Sequence, residues 1–332
     1  MPVVDAHAHI IVPQVLRDSA PDELWRPRVY REDGQQVVEL GGRRIKSAVR
    51  EFVDVDAILE AQDAAGVDRV VLCPWVSLLS YDASREDGLR ICRVYNEALA
   101  GIVARHPARV SALGMIPLQD PALAADELAA VMKLHGVYGV EIAASVNGVY
   151  LGDDRFRPFW EAAESLGALV FIHPTTRGFE SAVFNEYYLW NTVGNPLETT
   201  ITAAHMIMSG VLETYPNLRV LLAHGGGAIL SLRGRLRHAH TFQPQATMRL
   251  KESPEDSLRR FYFDTVTHDP TVLRDLVDYV GADHVLLGSD YPFDMGVDRP
   301  AEIVRALGLS VADEEKILGG NFIHLLKWGA RV

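Results

Sequence analysis

The chain has 332 residues, 48% of them hydrophobic and 23% charged, with a formal net charge of −12. That balance suits a globular protein with a large core. It excludes the basic face that nucleic-acid binding needs, although one local arginine can still hold an anionic substrate.

Two cysteines, Cys73 and Cys92, suggest no disulfide framework. No run reaches the ~18 apolar residues of a membrane span, and the N-terminus lacks the basic-then-apolar pattern of a signal peptide. A cytoplasmic protein is expected.

In chain order, Val3, Val4 and Asp5 read as a short buried strand that runs into His7 and His9. Side chains two apart in a strand share a face, so both imidazoles can converge on one metal ion. His-x-His alone is weak, since surface pairs and tag remnants mimic it. Residues 11 to 53 carry Pro13, Pro21, Pro27, the pair Gly41 and Gly42, and the alternating run Val37 to Leu40. They predict a long insertion with a small hairpin, and the aromatic residues Trp25, Tyr30 and Phe52 favour a lid over a disordered loop.

From residue 54 the pattern is regular. Asp54 or Asp56 can cap a helix with Ala57, Ile58, Ala61, Ala64 and Ala65 on its apolar face and Gly66 as its stop. Apolar runs follow at Val70–Cys73, Val110–Ile116, Val137–Ile142, Leu169–Ile172, Val220–Ala223, Phe261–Asp264 and Val285–Gly288. Helical segments separate them, at about 87–105, 121–135, 153–166, 196–215 and from 270. Continuous rather than alternating apolar runs mean strands buried on both faces. Eight such strands alternating with helices predict a (β/α)8 TIM barrel over 1–332, with one insertion of about 11–53 after the first strand. An open doubly wound sheet is disfavoured, because no Gly-x-Gly-x-x-Gly follows the first strand.

Barrel chemistry collects at the C-terminal ends of strands. There stand His7 and His9, His173, His224 and Asp290, with Glu141 inside the fourth strand and Asp264 then His268 at the seventh. Each has a bland reading: a strand-end histidine can bind a neighbouring loop, and Asp290 can cap a helix. Joint placement of histidine and aspartate favours one divalent-metal site. His106, His135, His205, His238, His240, His284 and His324 fall on helices or loops and read as solvated or packing residues, with His268 intermediate.

The motifs Asp5-x-His7-x-His9, His173-Pro174, His224-Gly-Gly-Gly227 and Gly288-Ser-Asp290-Tyr-Pro-Phe293 resemble those of the amidohydrolase superfamily. Within it, the chain is most similar to the branch typified by aminocarboxymuconate semialdehyde decarboxylase. Matches at Val49-Arg-Glu51, Gly194-x-Pro-x-Glu-Thr-Thr200, Gly234-Arg235 and His268-Asp-Pro270 extend the likeness along the whole chain. The resemblance implies that His7, His9, His173 and Asp290 bind one divalent ion, zinc or alternatively manganese, with a water as further ligand. It implies that His224 is the general acid/base, with Asp290 in the catalytic set, and that Arg50 grips a substrate carboxylate. Arg235 matches an arginine that reaches the neighbouring subunit's site, so a homodimer is implied. No lysine ends the fourth strand, so a mononuclear site is expected.

Two departures bear on the substrate. Asn191 stands where the family's decarboxylase has a tryptophan, with Trp190 displaced by one, and Gln243 stands where it has a second arginine. The expected substrate is therefore a small unsaturated or aromatic carboxylate with a polar group facing Asn191, and the semialdehyde itself is expected to be poor. Non-oxidative decarboxylation is the expected reaction. The alternative is a hydrolase or hydratase acting on a lactone, an amide or a double bond. A barrel that only binds a ring carboxylate would have no use for the general base that His224 supplies.

Overall fold

In the computed structural model, which describes residues 1–16, 23, 25–33, 35–40, 43–46, 50–175 and 181–326, the eight apolar runs pair side by side as parallel strands. They are β1 (Val4–Ile10), β2 (Arg69–Pro74), β3 (Val110–Gly114), β4 (Val137–Ala143), β5 (Leu169–His173), β6 (Arg219–Leu222), β7 (Tyr262–Asp264) and β8 (Val285–Leu286). Sequence order is spatial order. The sheet curls until β1 meets the end of β8, where Ala6 N–H donates to the Leu287 carbonyl at 2.8 Å and His9 N–H to the Tyr291 carbonyl at 2.7 Å. This is the expected (β/α)8 barrel.

Helices α1 (Val55–Ala64), α2 (Arg85–Arg105), α3 (Pro121–Val131), α4 (Arg157–Leu166), α5 (Asn195–Met208), α6 (Ile229–Phe242) and α7 (Pro270–Val280) follow the first seven strands. Of the two candidate caps for α1, Asp54 is the one used, accepting from the Asp56 and Ala57 amides. In His268-Asp-Pro270, Asp269 caps α7 and Pro270 takes its first turn, where a missing N–H costs nothing. Leu72, Ile142, Ile172 and Leu222 hold the outer faces of the strands in the main core with the helices. Val4, Ala6, Val71, Leu113, Leu169, Phe171 and Leu221 form a second, smaller cluster that fills the barrel.

The insertion is a three-stranded antiparallel sheet, Arg28–Glu32, Gln35–Leu40 and Arg43–Lys46, rather than the two-stranded hairpin expected. The third strand, Arg-Arg-Ile-Lys, is too polar and short to register as an apolar alternation. The lid expectation narrows as well. Trp25 packs under the Arg90 guanidinium of α2 at 4.6 Å, and the Tyr30 hydroxyl donates to Glu39; of the three aromatics, Phe52 lines the cavity above the barrel. Cys73 and Cys92 are buried free thiols, as expected of apolar fillers. No helix among the described residues is long and apolar enough to cross a membrane.

Candidate metal centre

The register of β1 against β2 slips between Asp5 and Ala8. Ala6 belongs to the cluster inside the barrel, while Asp5 faces outward and accepts from Gln62 of α1 and from Ser289. A strict alternation from Ala6 would send His7 and His9 outward with Asp5. The bulge resets the parity, and both imidazoles turn in, His7 packing edge-on against Phe171.

Four side chains then converge. One ligand atom from each of His7, His9, His173 and Asp290 lies within 4.8 Å of the others, and all four residues are buried. His7 Nε2 stands 3.1 Å and His9 Nε2 3.2 Å from Asp290 Oδ1, with the two nitrogens 3.0 Å apart. His173 Nε2 lies 3.9 Å from the same oxygen.

The other nitrogen of each ring is held from outside. His7 Nδ1 is 2.6 Å from Asp264 Oδ2, His9 Nδ1 is 3.0 Å from the Pro74 carbonyl and His173 Nδ1 is 2.9 Å from the Pro174 carbonyl. Carbonyls only accept, so Nδ1 of His9 and His173 carries the proton and Nε2 presents its lone pair inward. His173 Nε2 and Asp290 Oδ1 are buried with no hydrogen-bond partner. Lone pairs gathered around a carboxylate oxygen, each ring oriented by an outer acceptor, are the donor set of a divalent cation.

The electrostatics agree. Burial lowers the pKa of His9, and that of His173 to about 3, keeping both neutral. Burial opposes charge on His7 too, yet Asp290 and Asp264 raise it to about 10. Burial alone would raise Asp290, but the surrounding histidines hold its carboxyl well below the usual range. A cation here competes with the His7 proton, so its affinity falls as the pH falls.

Glu141 is fully buried within β4, its Oε2 3.7 Å from His9 Nδ1. Burial pushes its carboxyl well above the ordinary range, and neither oxygen has a hydrogen-bond partner. It stands beside the four converging residues and is not one of them.

His224 comes from the turn after β6, its Nε2 3.3 Å from Asp290 Oδ2. It therefore faces the carboxylate oxygen that the other histidines leave free. His224, His268 and Asp290 all have φ near +57° (56°, 57° and 58°), a region costly for non-glycine residues at roughly 1–3 kcal/mol each. Asp264 restrains the first: its carboxylate accepts the His224 and Gly225 amides at 2.9 and 2.8 Å while also holding His7. Gly288 keeps space for this arrangement, since a Cβ there would stand 2.9 Å from His7 Cβ and 3.2 Å from Asp264 Cβ. The sequence placed Asp264 at a strand end without a role.

A cavity of about 1130 Å³ opens over the centre. Phe52, Trp75 and Phe293 wall one side, with Phe52 and Trp75 stacked at 5.2 Å and Phe293 5.1 Å from the His9 ring. Asn191 lines it, and so does its neighbour Trp190, from a π-helical turn at Trp190–Gly194. His268, left intermediate by the sequence, lines it too. Gln243 is exposed at the end of α6 and does not line the cavity of its own chain. Arg50 opens a short helix, Arg50–Val53, and its side chain lies outside the described residues. Arg235 is exposed on α6 and lines no part of the cavity; the arginine of α6 that does is Arg233.

A parallel barrel whose strand ends gather three histidines, an aspartate and a further histidine defines a metal-dependent barrel enzyme. Residues 4–328 match the amidohydrolase family, and the chain belongs to it. It is 32% identical over 275 residues to a 2-amino-3-carboxymuconate-6-semialdehyde decarboxylase of Dictyostelium discoideum, covering 82% of this chain and 76% of that protein. It is 26% identical to a γ-resorcylate decarboxylase of Rhizobium radiobacter over 97% of both chains. Among solved structures, 5-carboxyvanillate decarboxylase of Sphingomonas paucimobilis superposes with a TM-score of 0.81 at 25% identity, over 98% of this chain and 99% of that one.

Proposed function

We propose that the chain is a metal-dependent, non-oxidative decarboxylase of a small aromatic or unsaturated carboxylate. The observation that carries this reading is the inward convergence of three Nε2 atoms on Asp290 Oδ1, with His224 on the carboxylate's other oxygen, under a cavity with a flat aromatic wall. The decarboxylases with which the chain shares its length support it.

His7, His9, His173 and Asp290 would hold one divalent ion, and the nitrogen-and-carboxylate set suits zinc and manganese alike. When bound, such an ion supplies Lewis-acid polarisation of substrate oxygens. The aromatic wall of Phe52, Trp75 and Phe293 stacks a planar substrate. His224 delivers a proton to the carbon that bears the carboxylate, and the C–C bond then breaks to release CO₂.

Purified protein is expected to contain one divalent ion per chain and to release one CO₂ per product formed from a panel of hydroxylated benzoates and muconate-type acids. Hydrolysis of a lactone or amide without CO₂ would replace decarboxylation, and two ions per chain at full occupancy would overturn the mononuclear assignment.

The working unit in this reading is a cytoplasmic homodimer that shares residues between sites. Arg235 supports it: exposed on α6, it has no ion pair or hydrogen bond among the described residues, and Leu232 and Phe242 of the same helix are exposed apolar neighbours. In a two-fold dimer each Arg235 can serve the site opposite. Arg235→Ala and His224→Ala chains, inactive separately, are then expected to regain activity on mixing, because one site of the heterodimer keeps both residues. A fully active monomer in sedimentation would end the shared-site arrangement.

A further inference from the structure

The cavity extends well past the metal centre. Its volume of about 1130 Å³ exceeds the ~300–1,000 Å³ of pockets that enclose drug-sized ligands, and a single carboxylated ring at the centre leaves much of it unfilled. The outer wall is built by α6 and α7 and carries Leu230, Arg233, Val272, Asp275 and Tyr279.

Arg233 is the only arginine or lysine among the described residues that line the cavity. Its guanidinium is fixed in place: it lies over the Tyr279 ring at 4.8 Å and donates from Nη1 to the Leu230 carbonyl at 2.7 Å. That bond folds it back onto the first turn of α6, the end of the helix that follows His224 and the glycine turn. No carboxylate of the described residues lies within ion-pair distance of it, whereas Arg237 on the same helix pairs with Glu255 at 2.7 Å. Of the two aspartates that share the wall, Asp278 is engaged by Arg274 at 3.0 Å and Asp275 has no such partner. A half-buried guanidinium, immobilised by an aromatic face and one carbonyl, keeps its remaining N–H donors for a ligand.

We propose that Arg233 and Tyr279 form an outer subsite that selects substrates with a second anionic oxygen group, such as a carboxylate, away from the one that departs. The inference rests on the inner centre being a decarboxylation site and names the class of substrate it takes. Arg233 would bind the retained group through charge-assisted hydrogen bonds, and Tyr279 would hold the guanidinium in position. Asp275 opposes any anion in the same space and so sharpens the requirement for Arg233.

Calorimetric binding to the metal-loaded protein tests this without turnover, using benzoate against isophthalate and the longer biphenyl-3,4′-dicarboxylate. At least one dicarboxylate is expected to bind ~10-fold or more tightly than benzoate. Arg233→Gln removes that advantage and leaves benzoate affinity unchanged, Arg233→Lys keeps part of it, and Asp275→Asn increases it. Dicarboxylate preference that survives Arg233→Gln, or no preference in the wild type, overturns the subsite. Arg233-dependent preference without CO₂ release from any carboxylate would leave the subsite standing and remove the decarboxylase reading instead.

Discussion

Replacing His224 with asparagine is expected to leave one metal ion per chain in place and to lower turnover by ~10²–10⁴-fold, the usual contribution of a general acid/base. Two distances set this expectation. His224 Nε2 stands 3.3 Å from Asp290 Oδ2, while the three ligand nitrogens converge on Asp290 Oδ1 at 3.1 to 3.9 Å. The ring is therefore beside the centre rather than within it, placed to pass a proton to a bound substrate. Its Nδ1 is buried without a hydrogen-bond partner, unlike the Nδ1 atoms of His7, His9 and His173, which are all tied to outer acceptors. A ligand histidine is oriented through its second nitrogen, whereas here the backbone is held instead, through Asp264. Asparagine keeps a similar size and polarity but cannot carry the proton. CO₂ release and elemental metal analysis on the same preparation check the result. If metal content falls in step with activity, His224 is a ligand and the division of roles is wrong.

The barrel was legible because each strand is buried on both faces, which leaves an uninterrupted apolar run for each of the eight. The candidate ligands were legible for a related reason. A polar residue that closes such a run sits at the rim of the barrel, and His173, His224 and Asp290 do so in plain view. The orientation of His7 and His9 was less so, because the bulge that turns them inward depends on the register of β1 against β2 and leaves no residue signature.

Arg233 and Arg235 show another boundary. They lie two apart on one helix, and only the packing of α7 and Tyr279 beside it decides which of them faces the cavity. The three-stranded insertion escaped notice because its last strand is nearly all charged. Asp264 had a visible signal, an acidic residue ending an apolar run. What it binds is set by the β1–β8 closure and by the turn after β6, contacts of long sequence separation.

Asp264→Asn is expected to weaken metal binding by ~10–100-fold, the range typical of residues that orient a metal-bound histidine. The wild-type carboxylate accepts from four donors: His7 Nδ1 and the His224 amide on Oδ2, the Gly225 and Val266 amides on Oδ1. An ionised carboxylate can serve all four because it is acceptor-only. Neighbouring His7, together with the backbone donors, holds Asp264 below the ordinary carboxyl range although burial pushes the other way. An asparagine has one accepting oxygen, so whichever way it turns, its NH₂ confronts two N–H donors in a fully buried place. If the amide faces the backbone, the His224 turn is held but the glycine and valine amides are left unpaired. If it faces His7, the imidazole must shift its proton to Nε2, where the metal belongs. A buried mispairing costs about 1–3 kcal/mol, so some loss of thermal stability accompanies the change in either case. Competition with a chromophoric chelator separates the two effects, since it reads metal affinity on protein that is still folded. An Asp264→Asn variant that melts earlier yet holds its ion with wild-type affinity would make Asp264 a brace for the turn alone. Weakened affinity with intact far-ultraviolet dichroism would make it the residue that aims His7 at the metal.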